Sequence, residues 1–185
     1  MKDLFEAVRA GDLARVEQLV AADAALAIFA AAILGDTVRL EELLAANRSL
    51  ATAVSSDGWT ALHLAAYFGR LDAVRLLLNK GASVKARSTN AMENMPLHAA
   101  AAGRHAGVIK LLLEFGAPAD AQQSGGWVAL HAAAQNGDLE SAKALIEGGA
   151  NVSVRADNQQ KPLDLAMLKA QHAMVEFLEA HGAAL

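Results

Sequence analysis

Thr60-Ala-Leu-His-Leu-Ala-Ala66, Met95-Pro-Leu-His-Ala-Ala-Ala101 and Val128-Ala-Leu-His-Ala-Ala-Ala134 are three copies of one seven-residue pattern. Lys161-Pro-Leu-Asp-Leu-Ala-Met167 is a degraded fourth. Their leucines, Leu62, Leu97, Leu130 and Leu163, are 35, 33 and 33 residues apart. Nineteen residues after each comes a Gly-Ala pair: Gly81-Ala82, Gly116-Ala117, Gly149-Ala150 and Gly182-Ala183. A constant internal distance with variation confined to the connectors is the signature of a stacked supersecondary repeat.

Within one unit, Leu62, Ala65 and Ala66 make one apolar stripe at helical spacing, and Leu71, Val74, Leu77 and Leu78 make a second. Gly69 between them suits the left-handed residue that ends a helix, and Gly81 ends the next. One such helix pair cannot bury both stripes, so neighbouring pairs must stack. Two weaker units precede the four clear ones. They centre on Leu4-Phe-Glu-Ala7 with Gly11-Asp-Leu, and on Ile28-Phe-Ala-Ala31 with Gly35-Asp-Thr.

The period near 33 and the T-P-L-H-x-A-A core resemble the ankyrin repeat, and the resemblance covers nearly the whole chain. It implies an all-α, ankyrin-type α-solenoid of helix-turn-helix repeats with short β-hairpin fingers. The chain then reads as one domain, 1–185, of about six repeats at 1–24, 25–55, 56–88, 89–122, 123–156 and 157–185, the first two degenerate. The departures from the pattern carry their own expectations. Leu4 to Ile28 is only 24 residues, which leaves no room for a first finger. The Leu62-to-Leu97 interval holds two extra residues, which should enlarge the finger around Asn90 to Asn94. The capping threonine survives only as Thr60, with Met95, Val128 and Lys161 in its place elsewhere. The turn position of Gly69 and Gly137 falls on Arg104 and Ala170, so those units must either strain or shift their helix ends.

The bulk numbers agree with a helical binding protein. Of the chain 54% is hydrophobic but only 4% aromatic, so the apolar mass is mainly Ala, Leu and Val, with Ala and Leu strong helix formers. A net charge of -4 and the absence of any basic run argue against a nucleic-acid partner. There is no cysteine for disulfide or thiolate chemistry. The longest apolar stretch, Ala24 to Leu34, is roughly half the ~18 residues a membrane span needs. The opening MKDLFEAVRAGD places acids where a signal peptide would be apolar, and a cytoplasmic protein is expected.

His63, His98 and His131 recur with the repeat and therefore sit about one layer, ~8–10 Å, apart. Metal ligands must all lie about 2 Å from one point, so no metal site is expected. The resemblance implies that this histidine instead hydrogen-bonds across the turn before its helix. Glu41-Glu42 reads as a solvated face, Gly125-Gly126 as finger-turn chemistry, and no nucleophile elbow or phosphate loop is present. Neither catalysis nor a cofactor is expected.

What remains is recognition of another protein by a surface that the resemblance locates on the fingers and the concave side of the first helices. By position, the finger residues are Asp57, Trp59, Met92, Asn94, Trp127 and Gln160, and the helix residues are Ile33, Leu34, Tyr67, Phe68, Gln135 and Asn136. Both tryptophans and the only tyrosine fall in this set, and aromatics are typical binding hot spots. The alternative role for Trp59 and Trp127 is to stiffen neighbouring fingers. The expected activity is a monomeric interaction module; the rival is an inhibitor or antidote that sequesters one enzyme or toxin.

An array of this kind should open from its ends, because a terminal unit has one neighbour. Lys161 and Ala170 weaken the last unit further. Amide exchange is therefore expected to be faster across Leu163 to Ala180 than across Leu62 to Leu78, and equal protection would contradict this.

Overall fold

The two apolar stripes of each unit become two layers. The computed structural model describes residues 1–184, in which twelve α-helices form six antiparallel pairs. The inner layer holds α1 (Lys2–Ala10), α3 (Ala27–Leu34), α5 (Ala61–Tyr67), α7 (Pro96–Ala102), α9 (Ala129–Asn136) and α11 (Pro162–Leu168). The outer layer holds α2 (Leu13–Ala22), α4 (Thr37–Ala46), α6 (Leu71–Asn79), α8 (Ala106–Glu114), α10 (Leu139–Glu147) and α12 (His172–Ala180). From α3 onward each inner helix packs on the next, and from α4 onward so does each outer helix. Leu62, Leu97, Leu130 and Leu163 are buried at the centre of their layers. Ala65, Ala66, Ala100, Ala101, Ala133, Ala134 and Ala166 are all fully covered, which lets successive inner helices approach closely.

Helix starts divide into two kinds. Asp12, Asp36 and Asp138 cap α2, α4 and α10 by accepting the backbone N–H of Arg15, Arg39 and Ser141. Where the outer helix begins with Arg70, His105 or Gln171, the side chain caps nothing and reaches back to the preceding layer. Arg70 Nε donates to the Ile33 carbonyl at 2.8 Å. His105 lies over Gly69 so closely that a Cβ there would stand 2.5 Å from its Nδ1, and Gln171 lies over Gly137 in the same way.

The N-terminal pairs join as the short spacing requires, through Asp23 and a single 3-10 turn, Ala24–Leu26. Every residue of α3 from Ala27 to Ile33 is buried, because α3 is packed against α1, α2, α4 and α5. A helix apolar on all sides must be covered on all sides. Ile33 is 0% exposed and belongs to the core, where it cannot face a partner.

The fingers differ from the expected β-hairpins. Each is a tight turn whose ends are joined by a bond from the N–H of Ser55, Ser88, Gln123 or Ala156 to the carbonyl of Trp59, Asn94, Trp127 or Gln160. Among the described residues the only bridge is an isolated one, Val54 with Thr60. The loops are too short for a ladder within one finger, so the bonds run between fingers instead. Thr89 N–H donates to Gly58 O, Ser124 N–H to Met92 O and Asp157 N–H to Gly125 O, each at 2.9 Å. The two extra residues of the third interval enlarge the Ser88–Asn94 finger itself, which spans seven residues where the others span five.

At the inner turn the chain strains and does not shift. Arg104 (φ 65°) and Ala170 (φ 53°) adopt the left-handed conformation of Gly69 and Gly137. A side chain there costs about 1 kcal/mol. Ala170→Gly is therefore expected to raise stability by about 1 kcal/mol in urea denaturation. Gly69→Ala should lower it by more than that, since its methyl would also collide with His105; no change in either variant would contradict the strain.

Candidate functional site

The site begins with a turn. Gly58 N–H donates to Ser55 O and Trp59 N–H to Ser55 Oγ, at 2.9 and 3.1 Å, and Gly58 takes φ +83°. A Cβ on Gly58 would stand 2.6 Å from the Asn90 nitrogen of the next finger, so only glycine fits this close approach. The turn leaves Asp57 exposed and lays the Trp59 indole edge-on over the His63 imidazole of its own unit, with centroids 5.6 Å apart. Trp127 packs on His131 in the same way at 5.0 Å. Both tryptophans are half-buried and rest on their own unit's histidine.

The histidine beneath Trp59 is held at both nitrogens. Its Nε2 lies 3.0 Å from the Asn94 carbonyl, which can only accept, so Nε2 carries the proton. Nδ1 then accepts from the Thr60 hydroxyl at 2.8 Å. His98 and His131 repeat the arrangement without a threonine. Their Nδ1 atoms accept the N–H of Met95 and Val128 at 3.0 and 3.1 Å. Their Nε2 atoms donate to Ala121 O and Gln160 O at 2.8 and 3.1 Å. The His98 and His131 backbone N–H groups, which a threonine would have capped, turn instead to the Met95 and Val128 carbonyls at 2.9 and 3.0 Å. Burial pushes the His63 pKa down to about 4, against the partial offset of its bond to Asn94. Burial lowers His98 and His131 as well.

Around this frame lies a groove of about 560 Å³. Its floor is Leu64 and Tyr67 of α5 with Ala99 and Ala102 of α7, one wall is the finger residues Asp57, Trp59 and Met92, and the other is α1. Tyr67 is 39% and Met92 47% exposed, so two large side chains of the lining face solvent. The α1 wall consists of Lys2, Phe5, Glu6 and Arg9. Phe5 reaches across the layer of α3 and stacks on Phe68 at the end of α5, with ring centroids 6.0 Å apart and planes 14° apart. Lys2 and Glu6 pair at 3.9 Å, while Arg9 and Asp57 form no ion pair among the described residues.

Of the residues expected from sequence, the structure brings Asp57, Trp59, Tyr67, Met92 and Asn94 to this groove. Asn94 is only 4% exposed. Its backbone anchors Ser88 and His63, and its Oδ1 is buried without a hydrogen-bond partner. Phe68 lies behind the groove between Phe5 and Tyr67. Leu34 lines a separate hollow beside Val16 and Val20. Trp127, Gln135, Asn136 and Gln160 lie outside the groove; Gln135 is exposed and the other three are half-buried. Sequence reasoning missed the α1 wall. One signal was available: Leu4 and Phe5 are adjacent on a helix and point about 100° apart, so they cannot share one neighbour.

The family described as ankyrin repeats (3 copies) matches residues 4–88 and 97–185. The chain is 37% identical over 127 residues to the tyrosine-protein kinase Shark of Drosophila melanogaster, covering 68% of this chain and 13% of that protein. It is 32% identical over 165 residues to Rabankyrin-5 of Mus musculus, covering 69% of the chain and 14% of the relative. Similarity to the ankyrin repeat protein FPV031 of fowlpox virus is 31% over 131 residues, covering 68% of the chain and 38% of the relative. The chain thus spans well under half the length of these relatives.

The buried rings make stability depend on pH. With a folded pKa of about 4 for His63 against 6.5 when unfolded, the unfolded chain takes up the proton first as pH falls. This contribution is complete above pH 6.5 and is lost from there down to pH 4, at about 1.4 kcal/mol per pH unit. His98 and His131 act in the same direction. Denaturation midpoints measured from pH 7.5 to 4.5 should fall along this window. His63→Gln should be less stable but flatter with pH, and an unchanged slope in that variant would contradict the role of the buried ring.

Proposed function

The chain belongs to the ankyrin repeat family, whose repeats generally mediate protein–protein interaction, and from that premise we propose that it is a non-catalytic module that grips a protein partner in the groove between α1, α5, α7 and the first two fingers. The observation that carries this reading is the exposure of Tyr67 and Met92 beside the half-buried Trp59 on a braced surface. Large side chains held in place lose little freedom on binding, which is how a stiff array turns contact area into affinity. Clustered exposed apolar groups of this kind mark interaction sites.

The protein acts, on this reading, as a monomer in the cytoplasm, without a cofactor and without contact to nucleic acid or membrane. A net charge of -4 supports the exclusion of nucleic acid. Among the described residues no helix is long and apolar enough to cross a membrane. Every imidazole of the repeat is committed to structural hydrogen bonds at both nitrogens, which leaves none free as a base or ligand.

With the native partner identified by affinity capture, Tyr67→Ala or Trp59→Ala is expected to weaken binding by about 2 kcal/mol, roughly 30-fold. The helical circular dichroism signal should persist. Truncation of Gln135, outside the groove, should cost far less. Unchanged affinity in both aromatic variants would move the partner site elsewhere on the molecule.

A further inference from the structure

We infer that the occupant of the groove is an amphipathic α-helix of the partner, laid alongside α1, and not an extended peptide. This deepens the reading above and rests on it.

The backbone decides between the two forms. An extended peptide leaves its own N–H and C=O groups unpaired unless the receptor supplies a free strand edge. The groove floor is the flank of α5 and α7, whose side chains and not backbone face the opening. On the finger wall, the carbonyls of Gly58 and Met92 are already taken by Thr89 and Ser124, and Asn90 Nδ2 holds the Asp57 carbonyl at 3.0 Å. The Met92 N–H is held by Asn90 Oδ1. A strand would therefore bury its polar backbone against partners already engaged. A helix satisfies its own backbone and brings only side chains.

The molecule already seats one helix on this side. The nine-residue α1 buries Leu4 and Ala7, while its opposite flank forms the groove wall, from which Phe5 stacks on Phe68. Ala99 and Ala102 stand three residues apart on α7, one turn of small side chains that allows a helix to approach to about 8–10 Å. Charge then sets the occupant's flanks. Arg9 on the α1 wall and Asp57 on the finger wall are both exposed and, among the described residues, outside any ion pair. The complementary helix has an apolar stripe toward Tyr67, Trp59 and Met92, an acid toward α1 and a base toward the finger.

The test uses the full chain as bait for two displayed peptide libraries. One is randomised on a single face of a helical scaffold; the other is linear and interrupted by prolines that forbid helix. Enrichment is expected from the helical library. Its binders should lose at least 30-fold in affinity on Tyr67→Ala, and several-fold on Arg9→Glu with recovery when the binder's acid is reversed to Lys. Both substitutions are at exposed positions, and unchanged dichroism and melting temperature would show that the fold is intact. Enrichment of linear binders alone, helical binders indifferent to Tyr67→Ala, or no enriched helical binder would each overturn the inference. Linear binders sensitive to Tyr67→Ala would sink the helical occupant yet leave the groove as the partner site. A native partner indifferent to Tyr67→Ala would sink the groove reading itself.

Discussion

The array hangs on one recurring hydrogen bond, from a buried imidazole N–H to a carbonyl of the following connector, within the finger for His63 and His131 and just before it for His98. Leucine and alanine burial supplies most of the attraction between layers, but it is nondirectional and would tolerate sliding. The imidazole bond fixes each finger relative to the helix before it. It also requires a neutral ring, with the proton on Nε2 and a lone pair at Nδ1 facing the start of the helix. Asp164 occupies the same position in the last unit. Its Oδ2 accepts the Lys161 N–H at 2.7 Å, as an imidazole Nδ1 would, but a carboxylate has no proton to pass onward. The chain of linkages therefore stops where the described repeats stop.

The fingers show how the same constraint overrides local preference. Gly58 and Gly126 take a left-handed turn that Glu93 and Gln159 must also take in their units, at φ 48° and 67°. Non-glycine residues adopt that conformation only when their surroundings hold them there. Here the surroundings are the bonds between fingers and the histidine below. Arg104 and Ala170 make the same concession at the inner turn. The stacking geometry is thus stronger than the intrinsic preference of any single residue within it.

The N-terminal end obeys different rules because its first interval is short. With only a 3-10 turn between α2 and α3, no finger separates the first two units, and α1 comes to lie within reach of α5 through Phe5 and Phe68. The position of α1 that this contact marks closes one side of α3 and supplies a second wall opposite the fingers. A surface that would otherwise be an open concave face becomes a groove.

Much of this was legible beforehand. The period and the alternation of inner and outer helices follow from residues that recur at fixed separations, the enlarged finger from one departure from that spacing, and the structural role of the repeat histidines from the family resemblance. Recurrence is visible in a single sequence because each copy tests the others. The resemblance also picked out the finger residues Asp57, Trp59 and Met92 together with Tyr67, which line the groove. What only the tertiary structure decided are the features that occur once. Ile33 matches Tyr67 or Phe68 by position, yet it is core, because α1 and its neighbours enclose α3. Phe5 meets Phe68 across more than sixty residues and has no second copy to betray it. The sequence by itself determined a regular array, since periodic burial admits few other solutions; the tertiary structure determined the groove, since that depends on one nonrepeating contact between two aromatic rings.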